Sequence, residues 1–318
     1  LIEQQRIVAK VDELMALCDE LEAAEKELDT LEERFAEYLP KAILQAAVQG
    51  KLVPQNPHDE PAVKLLERIR HEKAKLIKEG KIKKEKPLHP ITADEIPYNL
   101  PQGWIWCRLG DIVLENIGGG TPSKQNENYW NGDIPWASVK DLSGDTLSIT
   151  KDTITVNGLT QSTSNLIPAG NVIVCTRMGL GKIAINNIDV AINQDLRALF
   201  LPDNIDKNYF LFFYKSQNIL GSGMTVKGIS IDELNTLPFP LPPLAEQQRI
   251  VAKVDELMAL CEELKDARSI SHKKTEATVI PFAQHKEYED EIGVAARGDA
   301  TQPFSPKLQK AIASLLED

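Results

Sequence analysis

Sixteen residues of this chain occur twice. Glu3–Cys18, EQQRIVAKVDELMALC, returns unchanged as Glu246–Cys261, 246 − 3 = 243 positions later. A match of that length does not arise by chance, and the period is far too long for a solenoid. The chain therefore holds two copies of one module with something sizeable between them. In the first copy and beyond it, apolar residues fall at Ile7, Val11, Leu14, Leu17, Leu21, Ala24, Leu28, Leu31, Phe35 and Tyr38. Steps of four and three make a coiled-coil seam. No Gly or Pro interrupts before Pro40, so Glu3 to Leu39 reads as a spacer helix of roughly 55 Å. The second copy keeps the seam at Ile250, Val254, Leu257, Leu260 and Leu264. It starts after Pro238-Phe-Pro-Leu-Pro-Pro243, which cannot be helical. One apolar stripe present twice offers itself a partner, and pairing of the copies is expected.

The segment between the copies has two characters. Beyond Pro40 a second helical region is expected, KAILQAAVQGKLVPQ and then PAVKLLERIRHEKAKLIKEGKIKKEK, broken by Pro54, Pro57 and Pro61. Lys73, Lys75, Lys78, Lys81, Lys83, Lys84 and Lys86 form its basic run, either a solvated helix face or a phosphate or partner contact. From about Pro97 to Leu241 the sequence turns to Gly, Asn, Thr and β-branched residues. Strands are expected at Asn171–Thr176, Lys182–Ile188, Asp189–Ile192 and Leu196–Leu201. A helix is expected at Lys207–Gln217, with Tyr209-Phe-Leu-Phe-Phe-Tyr214 buried on one side. The reading is α+β: a mixed α/β domain over 97–243, flanked by a helical region at 1–96 and a second coiled-coil helix at 244–271. Residues 272–318 form a polar tail, expected to be flexible, with one short helix at Ser305–Leu316.

Three polar, glycine-rich loops punctuate the middle: Gly118–Lys124, Arg177–Lys182 and Gly221–Gly228. None has the G-x-x-x-x-G-K-[ST] or G-x-G-x-x-G spacing of a nucleotide site. Each joins cations to short hydrogen-bonding side chains, and that chemistry suits base edges: Arg and Lys read guanine, Asn and Gln read adenine. Ordinary turn chemistry explains any one loop equally well; three in one domain favour DNA. By this chemistry the candidate DNA contacts are Ser123, Lys124, Gln125, Asn126, Lys140, Arg177, Lys182 and Lys227. The net charge of −11 opposes phosphate binding by the chain as a whole. Acidic residues also outnumber basic ones between Tyr98 and Pro240, so unaided affinity for DNA should be weak and a partner should supply part of the grip.

Nothing points to catalysis. His58, His71, His89, His272 and His285 all lie outside the central region, and no H-E-x-x-H exists. An adenine methyltransferase carries Asn-Pro-Pro-aromatic; the nearest string, Asn56-Pro-His-Asp, lacks the aromatic. Cys18, Cys107, Cys175 and Cys261 form no C-x-x-C pair, which argues against zinc or a disulfide framework and for a reducing, cytoplasmic setting. Cys18 and Cys261, matched in the repeat, read as small buried apolar residues. No apolar run of membrane-spanning length occurs, and the polar start is not a signal peptide. The absence of an initiator Met suggests that the front of the chain has been lost.

Several strings together resemble the specificity subunits of type I restriction-modification enzymes. They are Trp104-Ile-Trp106 with Leu109-Gly-Asp111, Gly119-Gly-Thr-Pro-Ser123, Tyr129-Trp130, Gly132-Asp-Ile-Pro-Trp136, Asn193-Gln194 and Ile231–Val254. Ala42–Gln55 and Glu79–Lys84 resemble that family's central spacer. The resemblance implies target-recognition domains joined by antiparallel helices, each domain reading half of a split double-stranded DNA site. It also implies two methyltransferase subunits on the helical spacer, with restriction subunits joining for cleavage. S-adenosylmethionine, ATP and Mg would then belong to those partners, and this chain would bind no cofactor or metal. Only one recognition domain is present here, so either another is missing or a half-length subunit pairs with a second copy of itself. The competing expectation is a coiled-coil assembly protein that does not bind DNA.

Overall fold

The computed structural model describes residues 1–217, 219 and 228–278, with the side chains of its last helix described to 267. The chain forms two compact units, one of residues 41–254 and one of residues 1–40 with 255–318. The expected tail helix and Lys227 lie outside the described residues.

The unit of residues 41–254 is built on two facing sheets. One has five strands in the order β2 (Glu115–Gly118), β10 (Leu196–Phe200), β7 (Val172–Cys175), β8 (Ile183–Asn186) and β4 (Thr146–Leu147). All its pairs are antiparallel except β4 with β8. The other has four strands in the order β5 (Asp152–Ile154), β3 (Trp130–Ala137), β9 (Val190–Ile192) and β6 (Asn165–Ile167), with β3 and β9 parallel. Ile173, Cys175, Ala184, Leu196 and Ala198 of the first sheet share one core with Ala137, Ile167, Val190 and Ile192 of the second. Each fully buried isoleucine in it contributes about 1.5–3 kcal/mol. On its other face the second sheet packs Trp136, Ile154 and Ala191 against Trp130 and Leu159, the latter from the short helix α4 (Val156–Thr160).

The expected strands are present with slightly trimmed ends. The helix α5 (Lys207–Ser216) differs from expectation, because all six residues Tyr209–Tyr214 are buried rather than one face. It is enclosed from several sides: it packs on β8, Tyr209 and Phe210 meet Phe239, and Tyr209 meets Trp104. Phe239 lies in β11 (Pro238–Leu241), which pairs antiparallel with β1 (Ile105–Arg108). The prolines that exclude a helix here are tolerated in this two-stranded ribbon, where a missing N–H costs no central ladder bond.

The helix α1 (Ile2–Val48) continues through Pro40, where a break between two helical regions is expected from sequence. A proline removes one hydrogen bond from a helix, and burial of Ile43, Leu44, Ala47 and Val48 secures the turns after it. The amphipathic α2 (Ala62–Lys78) buries Ala62, Leu65, Leu66 and Ile69. Its Lys73 is no free cation: the ammonium donates to the carbonyls of Gly110 (2.8 Å) and Val113 (2.7 Å) around α3 (Leu109–Ile112), and to Glu85 (2.9 Å). Lys81 pairs with Glu79 at 2.8 Å. The expected basic run is thus partly neutralised within the chain.

After α6 (Ile231–Thr236) and β11, the final helix α7 (Leu244–Thr278) starts with its second-copy residues seated on this unit. Gln247 accepts from the Asp206 backbone N–H (2.9 Å) and donates to the Pro242 carbonyl (3.1 Å). Arg249 pairs with the buried Asp59 at 2.6 Å, and Gln55 donates to Glu246 at 3.2 Å. Burial raises the Glu246 carboxyl above its ordinary range, while the nearby Trp104 indole and Gln55 draw it back down.

The apolar seam of the sixteen repeated letters is exposed in the first copy and largely buried in the second. Ile7, Val11, Leu14 and Leu17 are 50–58% exposed, whereas Leu257, the counterpart of Leu14, is 4% exposed. Leu21, Leu28, Leu31, Phe35 and Tyr38 extend the uncovered seam along α1. Cys18 is exposed and Cys261 buried, so the expectation that both are buried is corrected for Cys18: its seam is uncovered.

Candidate nucleic-acid interface

Four loops meet at one end of the two-sheet unit: those after β2, β3, β7 and β9. Backbone bonds tie them together, from Gly120 N–H to the Ile192 carbonyl (2.9 Å), Asn193 to Ala137 (3.0 Å) and Thr176 to Asp195 (2.9 Å). The Asp195 carboxylate is their hub. It accepts from Asn193 Nδ2 (3.2 Å) and Gln194 Nε2 (3.4 Å) and faces Arg177 Nε at 3.8 Å. Thr121 in turn donates to Gln194 Oε1. Asn193 accepts from the Asp195 N–H at 3.1 Å, which folds the turn that aims this carboxylate.

The loop after β2 is held close to the sheets. A Cβ at Gly119 would lie 2.0 Å from the Ile192 carbonyl oxygen, and one at Gly120 2.0 Å from Thr163 Oγ1, so only glycine fits at either position. Trp136 donates to the Gly120 carbonyl (3.1 Å) and Trp130 to the Ser123 carbonyl (3.1 Å), and the two indoles meet edge to face. The loop after β3 is folded by Asp141, which accepts from Ser138 N (2.8 Å), Ser138 Oγ (3.0 Å) and Lys151 N (2.8 Å). Lys140 beside it is exposed.

The expected contact residues divide accordingly. Arg177 and Lys182 share the loop after β7; the Lys182 ammonium donates to the Val139 carbonyl (3.2 Å), which places Lys182 next to Lys140, while Arg177 faces Asp195. Ser123, Lys124 and Gln125 are exposed in the loop that Thr121 ties to Gln194, and their side chains have no hydrogen-bond partner among the described residues. Asn126 is occupied in part: its side chain caps the 3₁₀ turn Glu127–Tyr129 by accepting from Asn128 N. The loop-chemistry reading missed Thr121, Gln194 and Asp195, since their link spans some seventy residues of sequence and leaves no local pattern.

Elsewhere the titratable groups serve packing. Burial raises the Cys107 and Cys175 thiols, the opposite of an activated nucleophile. Arg108 donates to both oxygens of Glu95 (2.7 and 2.8 Å) and to the carbonyls of His89, Pro90 and Thr236, and it holds the Glu95 carboxyl down at about 2. Among the described residues, no three His, Cys, Asp or Glu side chains are arranged to hold a metal. No described helix is long and apolar enough to cross a membrane.

Residues 101–271 match the family model described as type I restriction modification DNA specificity domain. The chain belongs to this family. The specificity subunit of the type I restriction enzyme EcoAI of Escherichia coli is 34% identical over 316 residues, covering 83% of this chain and 53% of the relative. That of EcoEI, also from Escherichia coli, is 30% identical over 330 residues with the same coverage. This specificity-family chain thus spans about half the length of the curated relatives it matches. Among solved structures, the HsdS subunit from Thermoanaerobacter tengcongensis aligns with a TM-score of 0.48 at 24% identity, over 84% of this chain and 53% of that one.

Proposed function

We propose that this chain reads one half of a bipartite DNA target for a type I restriction-modification complex and performs no chemistry itself. The observation that carries this reading is the convergence of four loops at one end of a rigid two-sheet unit. They present Lys124, Lys140, Arg177 and Lys182 together with the amide of Gln125. Cations and amides on a rigid scaffold are what direct readout of base edges needs. Methyl transfer with S-adenosylmethionine, and ATP- and Mg-dependent cleavage, are assigned to two methyltransferase subunits and to restriction subunits that this chain directs. The excess of acidic residues accords with a phosphate grip supplied largely by those partners. The setting proposed is the cytoplasm.

The test assembles the chain with its methyltransferase subunit and measures methylation across a library of DNA targets. Replacing residues 98–240 with the matching segment of another specificity subunit should transfer that subunit's half-site preference. An unchanged preference would sink the proposal. One observation favours a second reading, assembly by coiled coil: the apolar seam of α1 from Ile7 to Phe35 is about half exposed. The same complex without sequence preference, but still dependent on that seam, would support assembly alone.

A further inference from the structure

Arg197 is a half-buried guanidinium with no counter-ion among the described residues. It lies on β10, and NH1 donates to Asn116 Oδ1 on the neighbouring β2 at 2.7 Å. Among the described residues no carboxylate lies within ion-pair distance of it. The buried Arg108 is treated differently, with both oxygens of Glu95 and three carbonyls around it. Charged groups withdrawn from water are ordinarily paired, so Arg197 is short of one anion. Its neighbour is short of an acceptor. Bonding to the guanidinium fixes the Asn116 amide with Oδ1 toward Arg197, and Nδ2 is left buried with no partner. Burial also lowers the Arg197 pKa, a cost that a bound anion would reverse.

The surroundings of Arg197 are partly open to solvent. β2 is the edge strand of its sheet, and all four of its residues are only partly buried. Opposite Arg197 in the register stands Gly118, where a Cβ would lie 3.2 Å from the guanidinium NH2. A side chain there would crowd the space over the charge. The place is also apt: β2 leads directly into the Gly119–Asn126 loop, and Arg197 lies two residues along β10 from the hub Asp195.

We propose that Arg197 and Asn116 form an anion site that takes a backbone phosphate of the DNA target. This rests on the reading that the loop end of the unit meets DNA. A phosphate oxygen pair matches the guanidinium fork, and a further oxygen gives the Asn116 amide an acceptor. Phosphate contacts fix register and orientation, and base contacts specify. Arg197 would therefore set the depth at which Arg177 and Lys182 enter a groove, without carrying sequence information.

The test uses the full chain in complex with its methyltransferase subunit, with Kd measured for target and scrambled DNA between 50 and 200 mM salt. Arg197→Ala should weaken both DNAs by the same factor and reduce the slope of log K against log salt by about 0.9. Preference at each base should stay unchanged, and Arg197→Lys should recover most of the slope. Asn116→Asp supplies an internal counter-ion while keeping the arginine. It should raise the thermal midpoint and still lose the same slope, which keeps the site testable if Arg197→Ala fails to fold. An unchanged slope in Asn116→Asp and Arg197→Ala would overturn the phosphate site. So would protection of the wild type by millimolar inorganic phosphate combined with an unchanged DNA slope, because the anion would then be a free one. Failure of the reading beneath it looks different: the wild-type complex itself would show no target preference.

Discussion

Arg108 and Arg177 both face a carboxylate, and the two pairs differ in what they leave available to a ligand. Arg108 spends its guanidinium on Glu95 and three carbonyls, so nothing remains for a ligand. The Glu95 carboxyl is held at about 2, below its ordinary 4.5, by that guanidinium first and by Thr92 second. A depressed carboxylate contributes stability that is present above the ordinary value and lost as pH falls toward the folded one. The gap in urea midpoint between wild type and Glu95→Gln should therefore be constant above pH 5, shrink below 4.5 and close near 2. A gap independent of pH would show that the pair contributes nothing through charge. Arg177 faces Asp195 with Nε at 3.8 Å, and its side chain remains half exposed. Arg177→Ala should relax preference at one base pair by about 1–3 kcal/mol in a complex-level binding assay. Asp195→Ala should relax the same base pair and Asp195→Glu should partly restore it. Uniform weakening over all sequences would instead make Arg177 a phosphate contact.

At the scale of elements, the repeated helix shows why one sequence need not have one environment. Arg249 pairs with the buried Asp59, while its counterpart Arg6 is exposed. Arg249→Ala leaves the largely buried Asp59 carboxylate with Asn56 but without its cation, and should cost about 1–3 kcal/mol in denaturant unfolding. Arg6→Ala, the same change in the same sixteen letters, should cost less than about 0.5 kcal/mol. Equal costs would mean that the two copies share one environment. The helices were legible in the sequence because the seam from Ile7 to Tyr38 is a local periodicity, and β7 to β10 because short apolar runs, β-branched in β7 to β9, lie between turn residues. The ribbon of β1 and β11 was not, because its partners stand some 130 residues apart and one of them is proline-rich. The quoted family strings proved to be framework. Trp104, Trp130, Trp136, Gly119 and Gly120 hold loops and core in place. Ser123, Lys124, Gln125 and Lys140 face solvent and make few internal contacts, so no packing constraint marks them in the sequence. Loop chemistry alone could suggest them, and it could not show the hub that gathers them.

At the scale of the whole molecule, the proposed half-site reading requires that something fix where the other half falls. The helix α1 has the length for that task, 47 residues or about 70 Å at helical rise, and its seam residues Ile7 to Phe35 are about half exposed. Inserting seven residues after Glu27 lengthens it by about 10.5 Å while returning the seam to nearly the same face, since two turns and a heptad differ by roughly 20°. In an assembly with two reading units, the preferred gap between half-sites should then grow by about three base pairs at 3.4 Å each, measured as methylation across targets of graded spacing. Inserting five residues instead turns the seam by about 140° and should abolish assembly, not shift the gap. The two insertions together separate a ruler from a mere tether, because a flexible tether would tolerate both and keep the original gap. An unchanged gap after the seven-residue insertion, with the complex still assembled, would show that spacing is set elsewhere than in this helix.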